Sequence, residues 1–255
     1  MEIIDVNTAF GFWPAQRFTH ETVESFEDSL RRGGVGEIWV SAVESILYPE
    51  PDTFDFRLFE RFRSLRGFRP VKTVNPLLAN WKERTAEAHE KFRIAAIKVF
   101  ANYHGYSLND PLFNQVCMFA EAEGLPVLIA LRVNDERNQP SFLQVAPVPV
   151  AQVVEASRRF PGVPFIALCS YRNELPALAD GGENLLVDLS FQDGAGMVEN
   201  AVCRMGASRV VFGSHEAFLH AQAALLKLRH SRLSEEIRLA IASGNVRSRL
   251  QGRAE

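Results

Sequence analysis

The chain has 255 residues, with 28 Lys and Arg against 31 Asp and Glu, a formal net charge of −3. Hydrophobic residues make up 47% and charged residues 23%, proportions that exclude a disordered or fibrous chain. The length fits either two small domains or one large fold such as an α/β barrel, and the weakly acidic balance gives no electrostatic reason to expect nucleic acid as a partner.

Cys117, Cys169 and Cys203 are an odd, widely spaced set with no C-x-x-C pair, so neither a zinc knuckle nor a disulfide framework is expected. Met1-Glu2-Ile3-Ile4-Asp5 lacks the basic and apolar regions of a signal peptide. The longest apolar run, Leu125 to Leu131, is far short of the roughly 20 residues that span a bilayer. These features lead to the expectation of a cytoplasmic protein with no membrane partner.

Taken in chain order, short apolar segments predict strands at Glu2–Val6, Val35–Ser41, Pro70–Asn75, Ala95–Phe100, Pro126–Leu131, Pro164–Cys169, Leu185–Ser190 and Arg209–Gly213. They are almost continuously apolar, as strands covered on both faces must be. Helical patterns lie between most of them. Thr19 is expected to cap a helix carrying Val23, Phe26 and Leu30, and Asp55 to precede one carrying Leu58, Phe59 and Phe62. Asp110-Pro111 makes an N-cap and first-turn pair for Leu112 to Phe119, with Gly124 as the stop. Further helices are read from Val150 to Phe160, Met197 to Gly206 and Ser234 to Gly244, with weaker patterns at Leu77–Lys91 and Leu175–Ala179.

Strand and helix alternating eight times predict an α/β fold, a single (β/α)8 TIM barrel over residues 1–255. The rival, a doubly wound sheet, usually has a glycine-rich phosphate turn after its first strand, and Asn7-Thr8-Ala9-Phe10-Gly11 is not one. In a barrel the functional groups stand where strands run into loops at the C-terminal rim. Polar residues gather at these predicted strand ends. Lys98 interrupts an apolar strand, so it either holds a ligand carboxylate, acts as a base or pairs with a carboxylate of the chain; Asp188, inside Val187-Asp188-Leu189, is its natural counter-ion. His215 is a candidate general acid/base or a hydrogen-bonded loop residue, and Glu216 beside it a binding residue or a helix cap. His104 and Tyr106 follow strand four. Arg132 and Arg137 form either a carboxylate clamp or a loop salt-bridged to Asp135 and Glu136. Cys169 reads as a buried small hydrophobe. His20, His89, His220 and His230 read as surface positions on helices. The candidate catalytic residues are therefore His215, Lys98 and Asp188, and the candidate substrate-binding residues Asn7, Trp13, His104, Tyr106, Arg132, Arg137 and Glu216. No H-x-H, H-E-x-x-H or G-x-S-x-G occurs.

At these residues the chain resembles the amidohydrolase-related family, small barrel hydrolases and decarboxylases. Ile4-Asp5-Val6-Asn7-Thr8-Ala9-Phe10-Gly11 resembles the family's opening strand, Ile97-Lys98-Val99 with Asn102 to Leu108 and Asp110-Pro111 its fourth, and Gly124 to Ile129 its fifth. Arg209 to Ser214 resembles the eighth strand, and Gly244-Asn245-Val246 with Leu250 the terminal segment. The resemblance implies metal ligands at positions that here carry Asn7, Ala9, Ala130, Cys169 and His215. No family-type metal centre, and hence no metal cofactor, is expected; a rewired Zn or Mn site using His104, Cys169, Asp188 or His215 is the remaining metal route.

The resemblance then implies a hydrolase of lactones or amides, or a decarboxylase, acting on a small anionic molecule without the metal. The alternative is a catalytically silent relative that binds a ligand or a partner subunit, its mouth made apolar by Phe10, Phe12, Trp13 and Phe100. A homodimer is implied by resemblance.

Overall fold

The computed structural model describes residues 1–48 and 50–251; the predicted domain's last four residues lie outside them. Eight strands run β1 Ile3–Phe10, β2 Val35–Ala42, β3 Phe68–Thr73, β4 Ala96–Val99, β5 Val127–Ala130, β6 Phe165–Leu168, β7 Leu185–Asp188 and β8 Val210–Val211. Each pairs in parallel with the next. β8 returns to β1 through Val6 N to Phe212 O at 3.1 Å and His215 N to Asn7 O at 2.7 Å, which closes the (β/α)8 barrel.

The helices are α1 Val23–Arg32, α2 Asp52–Phe62, α3 Trp81–Phe92, α4 Ala101–His104, α5 Pro111–Ala122, α6 Val150–Arg159, α7 Leu175–Ala179, α8 Met197–Met205, α9 Ala221–Arg229 and α10 Glu235–Leu239. Asp110 caps α5 by accepting from Leu112 N, and Ser234 caps α10 by accepting from Ile237 N. Two expected caps move. Thr22, three residues after Thr19, accepts from Ser25 N and starts α1. Asp55 does not precede α2 but lies within it, fully buried, because it neutralises the buried ammonium of Lys72 at 2.9 Å. α9 lies between His220 and His230, where a helix is expected, and the two histidines stand at its ends rather than within it; α4 is a single turn where only a turn around His104 is expected.

Alternation along each strand sorts the core into two layers. Ile97, Val99, Val127, Ile129, Phe165 and Ala167 face the helices in one large apolar cluster. Val71, Ala96, Leu128, Ile166, Leu186 and Val211 fill the barrel's interior. One layer above them, towards the C-terminal rim, the same alternation points Ser41, Lys98, Ala130 and Asp188 inwards. β1 joins that layer by an irregularity: between Asp5 and Thr8 it carries one residue more than β2. Such a bulge re-aims side chains, and Asn7 enters the interior.

Candidate functional site

The upper interior layer is a buried polar chain. Asn7 Nδ2 donates to Asp188 Oδ2 at 2.8 Å, and Asn7 Oδ1 accepts from Lys98 Nζ at 3.0 Å. Lys98 also donates to Ser41 Oγ at 3.3 Å. Asp188 accepts from Ser190 Oγ at 2.8 Å and from the Cys169 amide at 2.9 Å. The Cys169 thiol lies 3.6 Å from Asn7 Nδ2 and 3.5 Å from Ser190 Oγ. β8 passes close over this group: a Cβ on Gly213 would stand 2.8 Å from Asp188 Oδ2 and 3.1 Å from Asn7 Cβ. The glycine after Phe212 therefore serves close approach.

Burial sets the charges. It pushes the Lys98 ammonium down to about 8, against the opposing pull of nearby acidic groups. It pushes the Asp188 carboxyl up and the Cys169 thiol up to about 12, so the thiol is neutral. Asp5, directly before the bulge, is also pushed up to about 7 by burial, although it accepts from Asn7 N at 3.2 Å and Ser214 N at 3.0 Å. Among the described residues its Oδ2 has no hydrogen-bond partner. Asp5 is a site residue beyond the candidates expected from the sequence. A carboxylate inside the apolar run of β1 is the same signal that exposed Lys98 and would have found Asp5.

Two buried lysines behave differently. Lys72 is paired directly with Asp52 at 2.8 Å and Asp55 at 2.9 Å. Lys98 makes no ion pair among the described residues; its partners are the neutral oxygens of Asn7 and Ser41. The expected Lys98–Asp188 pair is thus not a direct contact, because the Asn7 amide stands between the two groups.

An aromatic plug covers this layer. Trp13, Phe18, Phe100, Val133 and Phe218 are buried in one cluster with Ala9 and Ala130, drawn from the loops after β1, β4, β5 and β8. Trp13 and Phe18 meet Phe218 edge-on at 5.4 Å and 4.9 Å. His215 stacks on Phe218 at 4.8 Å and gives Nε2 to Val133 O at 2.7 Å. Burial, with the Lys98 charge second, pushes its imidazole down to about 3. Phe12, expected at the mouth, is 68% exposed, and Phe10 packs outwards on Phe26 and Phe62.

The remaining candidates lie apart from Lys98. Glu216 Oε2 caps α9 by accepting from Ala221 N at 2.6 Å, and Oε1 faces His20 Nε2 at 3.3 Å. His20 is therefore neither on a helix nor at the surface: it precedes α1 and is drawn inwards by a buried carboxylate. His89 is half-buried in α3. His104 ends α4 with Nε2 on Ser45 O at 3.4 Å, and Tyr106 is buried in the helix layer, its hydroxyl without a partner among the described residues. Arg132 binds Glu136 at 2.9 Å and also Glu174 and Cys169 O. Arg137 is exposed and pairs with Asp135 at 2.6 Å. The two guanidinium groups each serve a carboxylate of their own loop rather than forming a shared clamp.

The donor set does not suit a divalent cation of the kind implied by the resemblance. Ala9 and Ala130 offer no donor. The Asn7 amide is committed to Lys98 and Asp188, the Cys169 thiol holds its proton, and an ammonium occupies the middle of the group. His104 and His215 turn to carbonyls of different loops instead of gathering around Cys169 and Asp188. Among the described residues no cluster of three or more His, Cys, Asp or Glu side chains has the arrangement of a metal site.

No protein-family model and no curated protein matches the sequence. Solved structures do match in shape. A 2,6-dihydroxybenzoate decarboxylase in complex with 2,6-dihydroxybenzoate is similar with a TM-score of 0.76 at 12% identity, over 99% of each chain. A dihydroxybenzoic acid decarboxylase from Polaromonas, with bound manganese and the inhibitor 2-nitroresorcinol, gives 0.70 at 12%, over 92% of this chain and 87% of that one. A candidate amidohydrolase from Staphylococcus aureus gives 0.75 at 10%, over 98% and 100%. At these identities the likeness establishes the fold: a (β/α)8 barrel of the form found in these decarboxylases and in the amidohydrolase. No helix among the described residues is long and apolar enough to cross a membrane.

Proposed function

We propose that this protein is an amidohydrolase-like decarboxylase of a small carboxylate-bearing molecule that works without a divalent cation. The observation that carries the reading is the buried Lys98 ammonium, bonded among the described residues only to neutral oxygens in the upper layer of the barrel. A buried cation without a direct counter-ion is a receptor for an anion. The shape shared with decarboxylases of aromatic acids supports the same substrate class.

Lys98 seats the carboxylate. The carbon–carbon bond to that carboxylate breaks, its electron pair stays on the carbon and takes up a proton, and carbon dioxide leaves. Asp188, raised by burial and 2.8 Å from Asn7 and Ser190, is the proton donor, reprotonated from solvent. Decarboxylation is favoured over hydrolysis because hydrolysis needs a base to activate water. His215, held at about 3, is too weakly basic for that work at neutral pH. Substrate reaches Lys98 by displacement of the plug at Trp13 and Phe218.

The test is carbon dioxide release from a panel of aromatic and aliphatic carboxylates by chelator-treated protein. Turnover that is lost in Lys98→Met and Asp188→Asn, with less than a tenth of an equivalent of Zn, Mn or Fe present, supports the reading. Turnover that needs added metal, or that survives Lys98→Met, overturns it.

A second reading rests on the plug itself. A mouth sealed by Trp13, Phe100 and Phe218 suits a catalytically silent relative that serves as a binding or partner subunit. Absence of turnover across the panel, with intact folding, favours it.

A further inference from the structure

A large open cavity lies outside the plug. A cleft of about 850 Å³ opens beside the loops that follow β5, β6 and β7, within the size range of small-ligand sites. Its walls carry charges of both signs, but these are not equivalent. Asp135 is neutralised by Arg137 at 2.6 Å, Asp193 by Lys227 at 3.0 Å, and Glu136 accepts from Arg132 and, at 2.7 Å, from the Tyr171 hydroxyl. Arg172 and Arg204, by contrast, have no side-chain hydrogen bond or ion pair among the described residues. Asp135 and Asp193 each have a cation of their own, Arg132 is shared between Glu136 and Glu174, and Arg172 and Arg204 are the cleft's guanidinium groups without a paired acid among the described residues.

The two arginines come from separate elements. Arg172 follows β6. Arg204 lies on α8 with Asn200 and Met197 at spacings of four and seven residues, one face of the helix turned to the cleft. The same cleft is lined by two aromatic rings, Tyr171 and Phe191, with centroids 5.6 Å apart and a tilt of 58°. The Tyr171 ring is itself fixed, with the Arg132 guanidinium 4.0 Å from its centroid. A fixed aromatic ring and two free guanidinium groups lining one cleft recognise a planar ring that bears an anion: the ring packs against the aromatic wall, and the fork binds the carboxylate or phosphate. Asn173 and Asn200 add amide donors and acceptors along the edge.

We propose that this cleft is a binding site for a planar aromatic anion, distinct from the buried Lys98 layer. The site stands beside the plug: Phe191 lines the cleft and meets the His215 ring at 5.8 Å, so an occupant here touches the residue that borders the barrel's interior.

Isothermal titration of the intact protein with benzene-1,3-dicarboxylate, adenosine monophosphate and inorganic phosphate tests the site. The expected result is saturable binding of at least one of the two ring-bearing probes, and the probe that binds identifies a carboxylate or a nucleotide as the source of the anion. Inorganic phosphate, lacking a ring, is expected to bind at least tenfold more weakly. The exposed-site variant Arg172→Ala/Arg204→Ala is expected to weaken the ring-bearing probe at least tenfold, while Lys98→Met stays within twofold of the parent. Binding of neither ring-bearing probe overturns the proposal. So does an unaltered affinity in the double arginine variant. Loss of binding in a folded Lys98→Met protein places the ligand in the barrel interior and overturns the cleft, whereas failure of the decarboxylation assay alone leaves these binding results as they are.

Discussion

Asn7 and Lys98 are joined side chain to side chain, 3.0 Å from Oδ1 to Nζ, across the interior of the barrel. The other end of the same amide holds Asp188 at 2.8 Å. A neutral group thus spaces a buried ammonium from a buried carboxyl group. A direct ion pair would lock both into their charged forms, whereas the amide leaves the ammonium able to receive another anion. The β1 bulge makes this possible, since without the extra residue Asn7 would face the helices.

Asn7→Ala is therefore expected to cost more than the loss of one side chain. It removes an acceptor from Lys98 and a donor from Asp188, leaving both buried polar groups short of a partner, at about 2–4 kcal/mol for the two together. Urea denaturation at neutral pH measures it. An effect below ~0.5 kcal/mol would show that neither group depends on the amide.

Asp5 makes the stability depend on pH in a known direction. Its carboxyl is raised from 3.8 to about 7 in the folded chain, so the folded protein keeps a proton that the unfolded chain has already released. Its contribution is fully present below about pH 4, is lost as pH rises towards about 7, and is constant above that. Asp5→Asn retains the acceptor for the amides of Asn7 and Ser214 but does not titrate. The stability difference, variant minus parent, is expected to grow by a few kcal/mol between pH 4 and pH 8. Urea midpoints at both pH values check it, and a difference that does not change with pH contradicts the assignment.

Much of the barrel is legible in the chain and much of the site is not, for one physical reason. An interior strand must be apolar, so each of the eight strands announces itself, and a charge inside one, as at Lys98 or Asp188, stands out. The direction of a loop side chain has no such signature. His215 looks like a general base in Phe212-Gly213-Ser214-His215, yet stacking on Phe218 and burial make it a weak one. Arg132 looks like a clamp, yet Glu136 and Glu174 already hold it. Alternation alone would also have sent Asn7 to the wrong face, because a bulge leaves no mark in composition.

The plug gives a prediction for His215. Its imidazole is held at about 3 by burial and by the Lys98 charge, so in the parent protein it is expected to stay neutral throughout an NMR titration from pH 8 to pH 5. Phe218→Ala removes the ring stacked on it and the contacts to Trp13 and Phe18, at a cost of ~3–5 kcal/mol. Water then reaches the imidazole, which is expected to titrate closer to its ordinary value of about 6.5. A His215 resonance that titrates identically in parent and variant would mean that the plug does not shield it.

Gly213 tests how tightly the polar layer is built. A methyl group there would stand 2.8 Å from both Cβ and Oδ2 of Asp188 and 3.1 Å from Asn7 Cβ, and both side chains are buried with fixed partners. Neither can withdraw without breaking hydrogen bonds. Gly213→Ala is therefore expected to destabilise the fold by about 1–3 kcal/mol through overpacking. It is also expected to displace Asp188 from Asn7 and, under the proposed decarboxylation, to lower turnover per folded molecule. Gly105, where an added Cβ meets nothing within 4 Å, is the control for glycine loss away from the polar layer, although its own φ of 77° carries a separate backbone strain. Paired measurements of urea midpoint and carbon dioxide release separate the two effects: Gly105→Ala should move the midpoint and leave per-molecule turnover intact, and Gly213→Ala should lower both. Equal turnover in the two variants would show that the close approach of β8 serves packing alone.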